Sequence, residues 1–263
     1  MTDKGKSQTT WLVATQVVAF VAIMAVCGLI IPWAWKLVAG SDGGADVMVA
    51  TSAVYSLLTL AVFVKAGWSK LSPAYLQSRP WAVFAWSALV GVGAIIPGML
   101  VQEMLPDLSN VAEKRLMQLV ANDYGFFTLC LFAPFVEEVV FRGAVLRALL
   151  ASMKSRWGAI VISAALFAAV HLNPAQLPMA VLAGLFLGWI YSRTGSILPG
   201  VVYHFVNNTI AFAMMRVLPP EVANGSLADL FGGDHRRMAL AVIFSLFILL
   251  PSLYQLAVRT KRQ

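Results

Sequence analysis

Eight long apolar segments, separated by charged or turn-forming residues, follow one another along the chain. A helix needs about 20 predominantly apolar residues to cross the hydrocarbon core of a bilayer, and most of the segments approach or exceed that length. The predicted spans are residues 11–38, 46–64, 81–100, 124–150, 152–171, 176–191, 197–217 and 238–256. The pattern therefore predicts an all-α, polytopic membrane protein with about eight transmembrane helices.

The boundary between the fifth and sixth predicted spans depends on one tripeptide. Residues 157–192 contain no Asp, Glu, Lys or Arg, so charge sets no boundary within them. Proline ends a helix and disfavours helical conformation in the residue before it. We therefore expect the chain to break at Leu172-Asn173-Pro174.

The distribution of polar residues divides the chain into four regions. We expect a polar N-terminal tail at 1–10, a three-span region with an outer loop at 11–123, a core region at 124–217, and a last region at 218–263. The last region holds an outer loop, the final span and a basic tail. The outer loop of the three-span region is predicted to contain a helix, since Asn110 and Glu113 have the spacing of a capping box.

Composition supports a membrane protein. Apolar side chains make up 60% of the residues and charged ones only 12%, with a mean hydropathy of +0.79, whereas about a quarter of the residues in a soluble domain are charged. The net charge of +7 is consequently not interpreted as nucleic-acid binding, and the lipid bilayer is the expected partner. Cys27 and Cys130 lack CxxC spacing, so neither a disulfide framework nor a thiolate metal site is indicated.

The basic residues predict the orientation, because Lys and Arg in short loops mark the cytoplasmic side. With the N-terminus inside, twelve Lys and Arg residues fall inside and six outside, and nine of the twelve acidic residues fall outside. Both termini are therefore predicted to be cytoplasmic. The charge pattern and the compact chain suggest a bacterial plasma membrane.

Five ionisable residues lie within or at the ends of predicted spans: Glu137, Glu138, Arg142, His171 and His204. Such groups cost at least a few kcal/mol each inside a bilayer and usually face a partner or a cavity. They are the first candidates for a functional site.

Helical spacing separates the roles of these residues. Glu138 and Arg142 are four residues apart with the acid first, which favours an ion pair on one helix face. Glu137 points about 100° away from that face and is not committed to the pair. His204 and Asn208 are also four residues apart, so they share a face of their helix.

These residue types suit the hydrolysis of an amide by activated water. Glu137 is the candidate general base, and His171 is placed to hold the water or to pass a proton to the leaving amine. His204 and Asn208 are candidate donors to an oxyanion. Ser163 has no base that the sequence assigns to it and is a poor candidate nucleophile.

Three alternatives remain open at this point. His171 and His204 are alternative zinc ligands, although no HExxH motif is present, so the sequence predicts no metal or other cofactor, with zinc as the alternative. Glu, His and Arg in a membrane also build proton relays, which favours a proton-coupled transporter or channel. Inverted repeats would support transport, and none is visible. A catalytically inactive scaffold is the third alternative.

Three motifs resemble those of the CPBP family, the CAAX proteases and bacteriocin-processing enzymes that are also called Abi proteins. The family patterns EExxxR, FxxxH and HxxxN occur in that order, as Glu137-Glu138 with Arg142, Phe167 with His171, and His204 with Asn208. Each motif alone is weak, but three in order on neighbouring spans form a specific combination. The resemblance covers roughly residues 124–214, while the first three predicted spans carry no diagnostic residues.

The resemblance implies an intramembrane endopeptidase related to the type 2 CAAX prenyl endopeptidase. It implies that Glu137 and His171 activate water and that His204 and Asn208 form the oxyanion hole. Glu138 and Arg142, the ion pair that the spacing predicts, are expected to support the site. The family has also been described as metalloproteases. Because prenylated proteins are not expected in a bacterial membrane, we expect a membrane-associated protein or peptide as the substrate and do not infer its identity from the family name.

Overall fold

The computed structural model describes residues 3–70, 73–219, 222 and 225–260, and within these residues the protein is all-α. The first half contains α1 (Asp3–Ala39), α2 (Gly44–Lys65), α3 (Pro73–Gln77), α4 (Trp81–Gly93), α5 (Ile95–Glu103) and α6 (Glu113–Ala121). The second half contains π1 (Phe127–Phe132), α7 (Ala133–Glu137), π2 (Glu138–Leu146), α8 (Arg147–Ser152), α9 (Arg156–Ala169), α10 (Leu177–Thr194), α11 (Leu198–Val217) and α12 (His235–Arg259). The predicted all-α class is confirmed.

Five helical segments among the described residues are long and apolar enough to cross a membrane: Ser7–Ala39, Gly44–Lys65, Trp81–Glu103, Pro174–Thr194 and His235–Arg259. The protein is therefore a multi-pass membrane protein. The three remaining predicted spans also contain helix, but by these criteria they are too short, too polar or divided into shorter helices. The count of eight spans and the side on which the termini lie stay predictions.

The segment that carries both glutamates alternates between two kinds of helix. In π1 and π2 the backbone hydrogen bonds follow the wider i→i+5 pattern, whereas α7 between them has α-helical bonds. Every residue of π2 is buried, because α1, α2, α9 and α10 all pack against it. A helix that is covered on all sides can be apolar all around, and the valines of π2 form the centre of the main hydrophobic core.

The predicted break after the fifth span is confirmed. Helix α9 ends at Ala169, a 3₁₀ turn covers Pro174–Gln176, and α10 begins at Leu177. The two helices then pack closely, since a Cβ added to Gly184 would lie 2.9 Å from the Cβ of Ala164. Small residues allow such close approach between helices in membranes.

The outer loop contains the predicted helix, α6, but the predicted capping box is wrong. The residue that caps α6 is Ala112, with no side-chain hydrogen bond at the cap. The side chain of Asn110 instead accepts a hydrogen bond from Asn173, 63 residues away. A tertiary contact therefore replaces the local one that the spacing favoured.

The two ends of the chain are described in part. From Asp3 onward, the predicted polar tail is continuous with α1. Lys261 and Arg262, which contributed to the predicted cytoplasmic charge, lie outside the described residues. The division into four regions remains a prediction.

Candidate active site

Glu138 and Arg142 form an ion pair at the centre of the molecule. The Arg142 Nη1 donates to Glu138 Oε1 at 2.8 Å, and the two side chains are 1% and 0% exposed. The guanidinium lies 4.3 Å from the centroid of the Phe167 ring, and its Nη2 lies 3.5 Å from the carbonyl oxygen of Gly184. The Phe167 ring on α9 and a backbone carbonyl on α10 therefore contact the arginine, and Glu138 balances its charge.

His204 lies between the two glutamates. Its Nε2 is 3.6 Å from Glu137 Oε2, and its Nδ1 is 3.5 Å from Glu138 Oε1. Helix α11 makes this contact possible, because Gly200 lies one turn before His204 and faces Glu138. A Cβ at Gly200 would lie only 2.6 Å from Glu138 Oε2. The glycine allows α11 to approach both acids.

Glu137 is more accessible than its neighbour. Its side chain is 19% exposed, compared with 0% for Glu138. It is the last residue of α7, at the point where the chain changes to the π2 pattern. The imidazole of His204 lies beside it, with 3.6 Å between Nε2 and Glu137 Oε2. Glu137 is thus partly exposed, whereas Glu138 is enclosed.

His171 joins this group through Phe167. The two rings form an edge contact with centroids 4.9 Å apart, and the Phe167 ring also lies 6.0 Å from the ring of His204. The His171 Nδ1 is 2.8 Å from the carbonyl oxygen of Phe167. Because a carbonyl oxygen can only accept, Nδ1 is the donor in this bond, and Nε2 is the ring nitrogen left for another partner. Phe167 therefore contacts both histidines.

Asn208 is on the same helix as His204 and contacts π1. Its Nδ2 donates to the carbonyl oxygen of Leu129 at 3.0 Å. The amide nitrogen carries two hydrogens, so it has a second donor besides the one bound to Leu129. The contact sets the orientation of the Asn208 side chain.

Two glycines at the site, Gly200 and Gly184, were not predicted from the sequence. Gly200 could have been found, since it precedes His204 by four residues and so shares its helix face. Nothing in the sequence indicated that the backbone carbonyl of Gly184 would contact Arg142.

Ser163, a poor candidate nucleophile from the sequence, donates from its Oγ to the carbonyl oxygen of Phe141 at 3.1 Å and is 1% exposed. It ties α9 to π2.

The described residues do not present a zinc site. Among them, no group of three or more His, Cys, Asp or Glu side chains is arranged to hold a metal ion. The alternative ligands His171 and His204 both contact the Phe167 ring, with centroid distances of 4.9 and 6.0 Å. Structural zinc sites use four protein ligands and catalytic ones three, and no such set is present among the described residues.

Two cavities lie away from these residues. One, of about 650 Å³, lies between the beginning of α1 and the turn between α8 and α9, where Val13, Leu149 and Lys154 line it. The other, of about 580 Å³, is lined by apolar residues such as Trp157 and Trp189. Neither is lined by a candidate site residue.

The candidate site combines two carboxylates on α7 and π2, an imidazole in the turn after α9, and an imidazole and an amide on α11. These residue types suit a hydrolytic site in a multi-pass membrane protein. Residues 122–210 match the family model described as Type II CAAX prenyl endopeptidase Rce1-like, a segment that includes all three motifs and is shorter than half of the chain. The predicted relation to the CAAX proteases is confirmed, and at the level of the family it supports an intramembrane protease. No curated protein and no solved structure matches the chain.

Proposed function

We propose that the protein is an intramembrane endopeptidase that cleaves a membrane-associated protein or peptide by means of a water molecule activated by Glu137. The observation that carries the proposal is the contrast between two adjacent acids. Glu138 is fully buried and paired with Arg142, whereas Glu137 is 19% exposed and lies 3.6 Å from His204. An accessible carboxylate beside an imidazole is equipped to take a proton from water.

The proposed reaction gives each candidate residue a role. Glu137 accepts a proton from water while the water oxygen forms a bond to the peptide carbonyl carbon. His204 and Asn208 donate hydrogen bonds to the resulting oxyanion. The carbon–nitrogen bond then breaks, and the leaving amine takes the proton that Glu137 accepted from water. His171 relays this proton through its Nε2, which takes no part in the bond to Phe167, and Glu137 returns to the carboxylate form.

The direct test is cleavage of a peptide library by the protein in proteoliposomes, with products identified by mass spectrometry. The wild type should cut a subset of peptides, and Glu137→Gln should lose this activity. Glu113→Gln is a matched control, because Glu113 is an exposed acid on α6. If Glu137→Gln cleaves as fast as Glu113→Gln, Glu137 is not the base.

We further propose that no metal takes part. The described residues hold no group of three or more His, Cys, Asp or Glu side chains arranged for a metal ion, and Asn208, a poor zinc ligand, shares the helix face of His204. Elemental analysis of active enzyme and activity after prolonged chelation test this proposal. A stoichiometric transition metal that is lost together with activity, and restores it, would show that the metal-dependent alternative is correct.

We also propose a bacterial plasma membrane with both termini in the cytoplasm, on the basis of the Lys and Arg distribution. Single cysteines at Gly44 and Gly233 should react with an impermeant thiol reagent added outside intact cells. A cysteine at Lys70, which is exposed beside the buried Ser69, should react only after the membrane is opened. Labelling of the Lys70 position from outside would refute this orientation.

A further inference from the structure

His171 lies beyond the regular part of its helix. The α-helical residues of α9 end at Ala169, and the backbone N–H of His171 bonds in a tight turn to the carbonyl of Ala168 at 3.2 Å. The next residue, Leu172, has φ +50°, in the left-handed region. Non-glycine residues rarely adopt this conformation unless their surroundings impose it. The position of His171 therefore depends on what holds this turn.

A set of hydrogen bonds, which we term the outer clasp, holds the turn to the outer loop. The side chain of Asn173 is the centre of the clasp and is 1% exposed. Its Oδ1 accepts from the backbone N–H of Val111 at 3.1 Å, and its Nδ2 donates to Asn110 Oδ1 at 2.9 Å. The backbone N–H of Ala175 adds a bond to the carbonyl of Ser109 at 3.3 Å.

We infer that Asn173 is a positioning residue that holds His171 in its working place through the outer clasp. The inference rests on the proposed function, since it assigns His171 a role in hydrolysis. Asn173 lies two residues after His171, and the strained Leu172 is the only residue between them. Without the clasp the turn is free to leave the left-handed conformation, and the imidazole moves relative to Glu137. A displacement of about 1 Å at a reacting group is enough to cost on the order of 10²-fold in rate.

The test compares Asn173→Ala with Asn122→Ala in the proteoliposome assay. Asn122 is an asparagine of the outer loop with the same number of side-chain bonds, since its Nδ2 donates to Asp46 at 2.7 Å and its Oδ1 accepts from Tyr124 N–H at 2.9 Å. It has no bond to the His171 turn. Asn173→Ala should lower kcat by about 10- to 100-fold with KM changed less than about twofold. Asn122→Ala should keep the wild-type kcat.

Asn173→Asp separates positioning from simple loss of stability. Aspartate keeps the acceptor for the Val111 N–H and loses the donor to Asn110. It should therefore recover part of the kcat that alanine loses. If Asn173→Ala does not fold, Asn110→Ala takes its place, because it removes one bond of the clasp and leaves the His171 turn unchanged in sequence; its kcat should fall in the same direction.

The outcomes distinguish the inference from the proposed function. Equal kcat values for the Asn173 and Asn122 variants, in a protein that Glu137→Gln inactivates, would overturn the positioning role alone. Full activity of Glu137→Gln would overturn the proposed function, and the inference with it. A lower kcat in Asn173→Ala, with partial recovery in Asn173→Asp and no loss in Asn122→Ala, would support the inference.

Discussion

The surroundings of the two neighbouring glutamates differ sharply. Glu138 is fully buried and accepts a hydrogen bond of 2.8 Å from Arg142, and the backbone of Gly200 packs against its carboxylate. Glu137 is 19% exposed and has the imidazole of His204 at 3.6 Å. We term these the Glu138 side and the Glu137 side of the site. His204 contacts both of them.

The difference arises from helix geometry. Consecutive helical residues point in directions about 100° apart, so one acid turns into the core while the next turns toward a reachable space. In a low-dielectric interior, loss of one member of a buried ion pair such as Glu138–Arg142 lowers the stability of the fold. A carboxylate that water can reach, such as Glu137, can act as a general base. The same substitution at the two positions should therefore damage two different properties of the protein.

Glu137→Gln should produce the largest loss of turnover. A general base contributes about 10²- to 10⁴-fold to a rate, and glutamine has the size of glutamate but cannot accept the proton. The melting temperature of the variant should stay near that of the wild type. Turnover in proteoliposomes and a thermal melt of the same preparation measure the two quantities. A fall in melting temperature as large as that of Glu138→Gln would contradict the separation of the two sides.

Glu138→Gln should produce the largest loss of stability. The change leaves the guanidinium of Arg142 buried without its counter-charge, which typically costs about 3–5 kcal/mol. Asp42→Asn is the matched control, since Asp42 forms an ion pair with Lys36 at the surface. The side chains of Asp42 and Lys36 are 85% and 68% exposed. Loss of an exposed pair costs about 0–1 kcal/mol. Denaturant unfolding that gives similar values for the two variants would contradict the prediction.

Asn208→Ala tests the proposed oxyanion donor that α11 contributes to the Glu137 side. Removal of one oxyanion donor typically lowers turnover by about 10²- to 10³-fold. The variant also loses the bond to the Leu129 carbonyl, at a cost of about 1 kcal/mol in stability. Asn207→Ala is the control, because Asn207 points to a different helix face. If both variants keep wild-type turnover, Asn208 does not stabilise the oxyanion.

Gly200→Ala tests the packing of the Glu138 side with a single methyl group. The added Cβ would lie 2.6 Å from Glu138 Oε2, so either the carboxylate or α11 must shift. Overpacking of this kind costs about 1–3 kcal/mol. Gly28→Ala is the control, since no atom lies within 4 Å of the added Cβ and alanine favours helix by about 0.5–1 kcal/mol. A thermal melt should show opposite shifts for the two variants.

The smallest expected effect concerns Asp229, a carboxylate outside the candidate site that can be compared with the two glutamates. The Ser226 hydroxyl and backbone N–H donate to it, which holds the pKa of Asp229 below its ordinary value. A carboxylate with a lowered pKa adds stability above its unfolded-state pKa and loses it as the pH falls through the folded-state pKa. Ser226→Ala should raise the pKa of Asp229 toward the ordinary value, which an NMR titration of the carboxyl would detect. Activity should not change.

The sequence alone determined the features that depend on hydropathy or on spacing within one helix. The all-α membrane class follows from long apolar segments, and the break at Pro174 follows from the geometry of proline. The contact between Glu138 and Arg142 follows from their separation of four residues. Each of these features depends on residues that are close together in the chain, so it can be predicted without knowledge of the tertiary packing.

Only the tertiary structure decided which side chains from different helices meet. The contact of His204 with both glutamates requires the approach of α11 to π2. The bond between Asn110 and Asn173 joins residues 63 positions apart and replaced the local cap that the spacing favoured. Spacing within one helix specifies a face of that helix but not the residue opposite it, because the partner is chosen by the packing of the whole bundle.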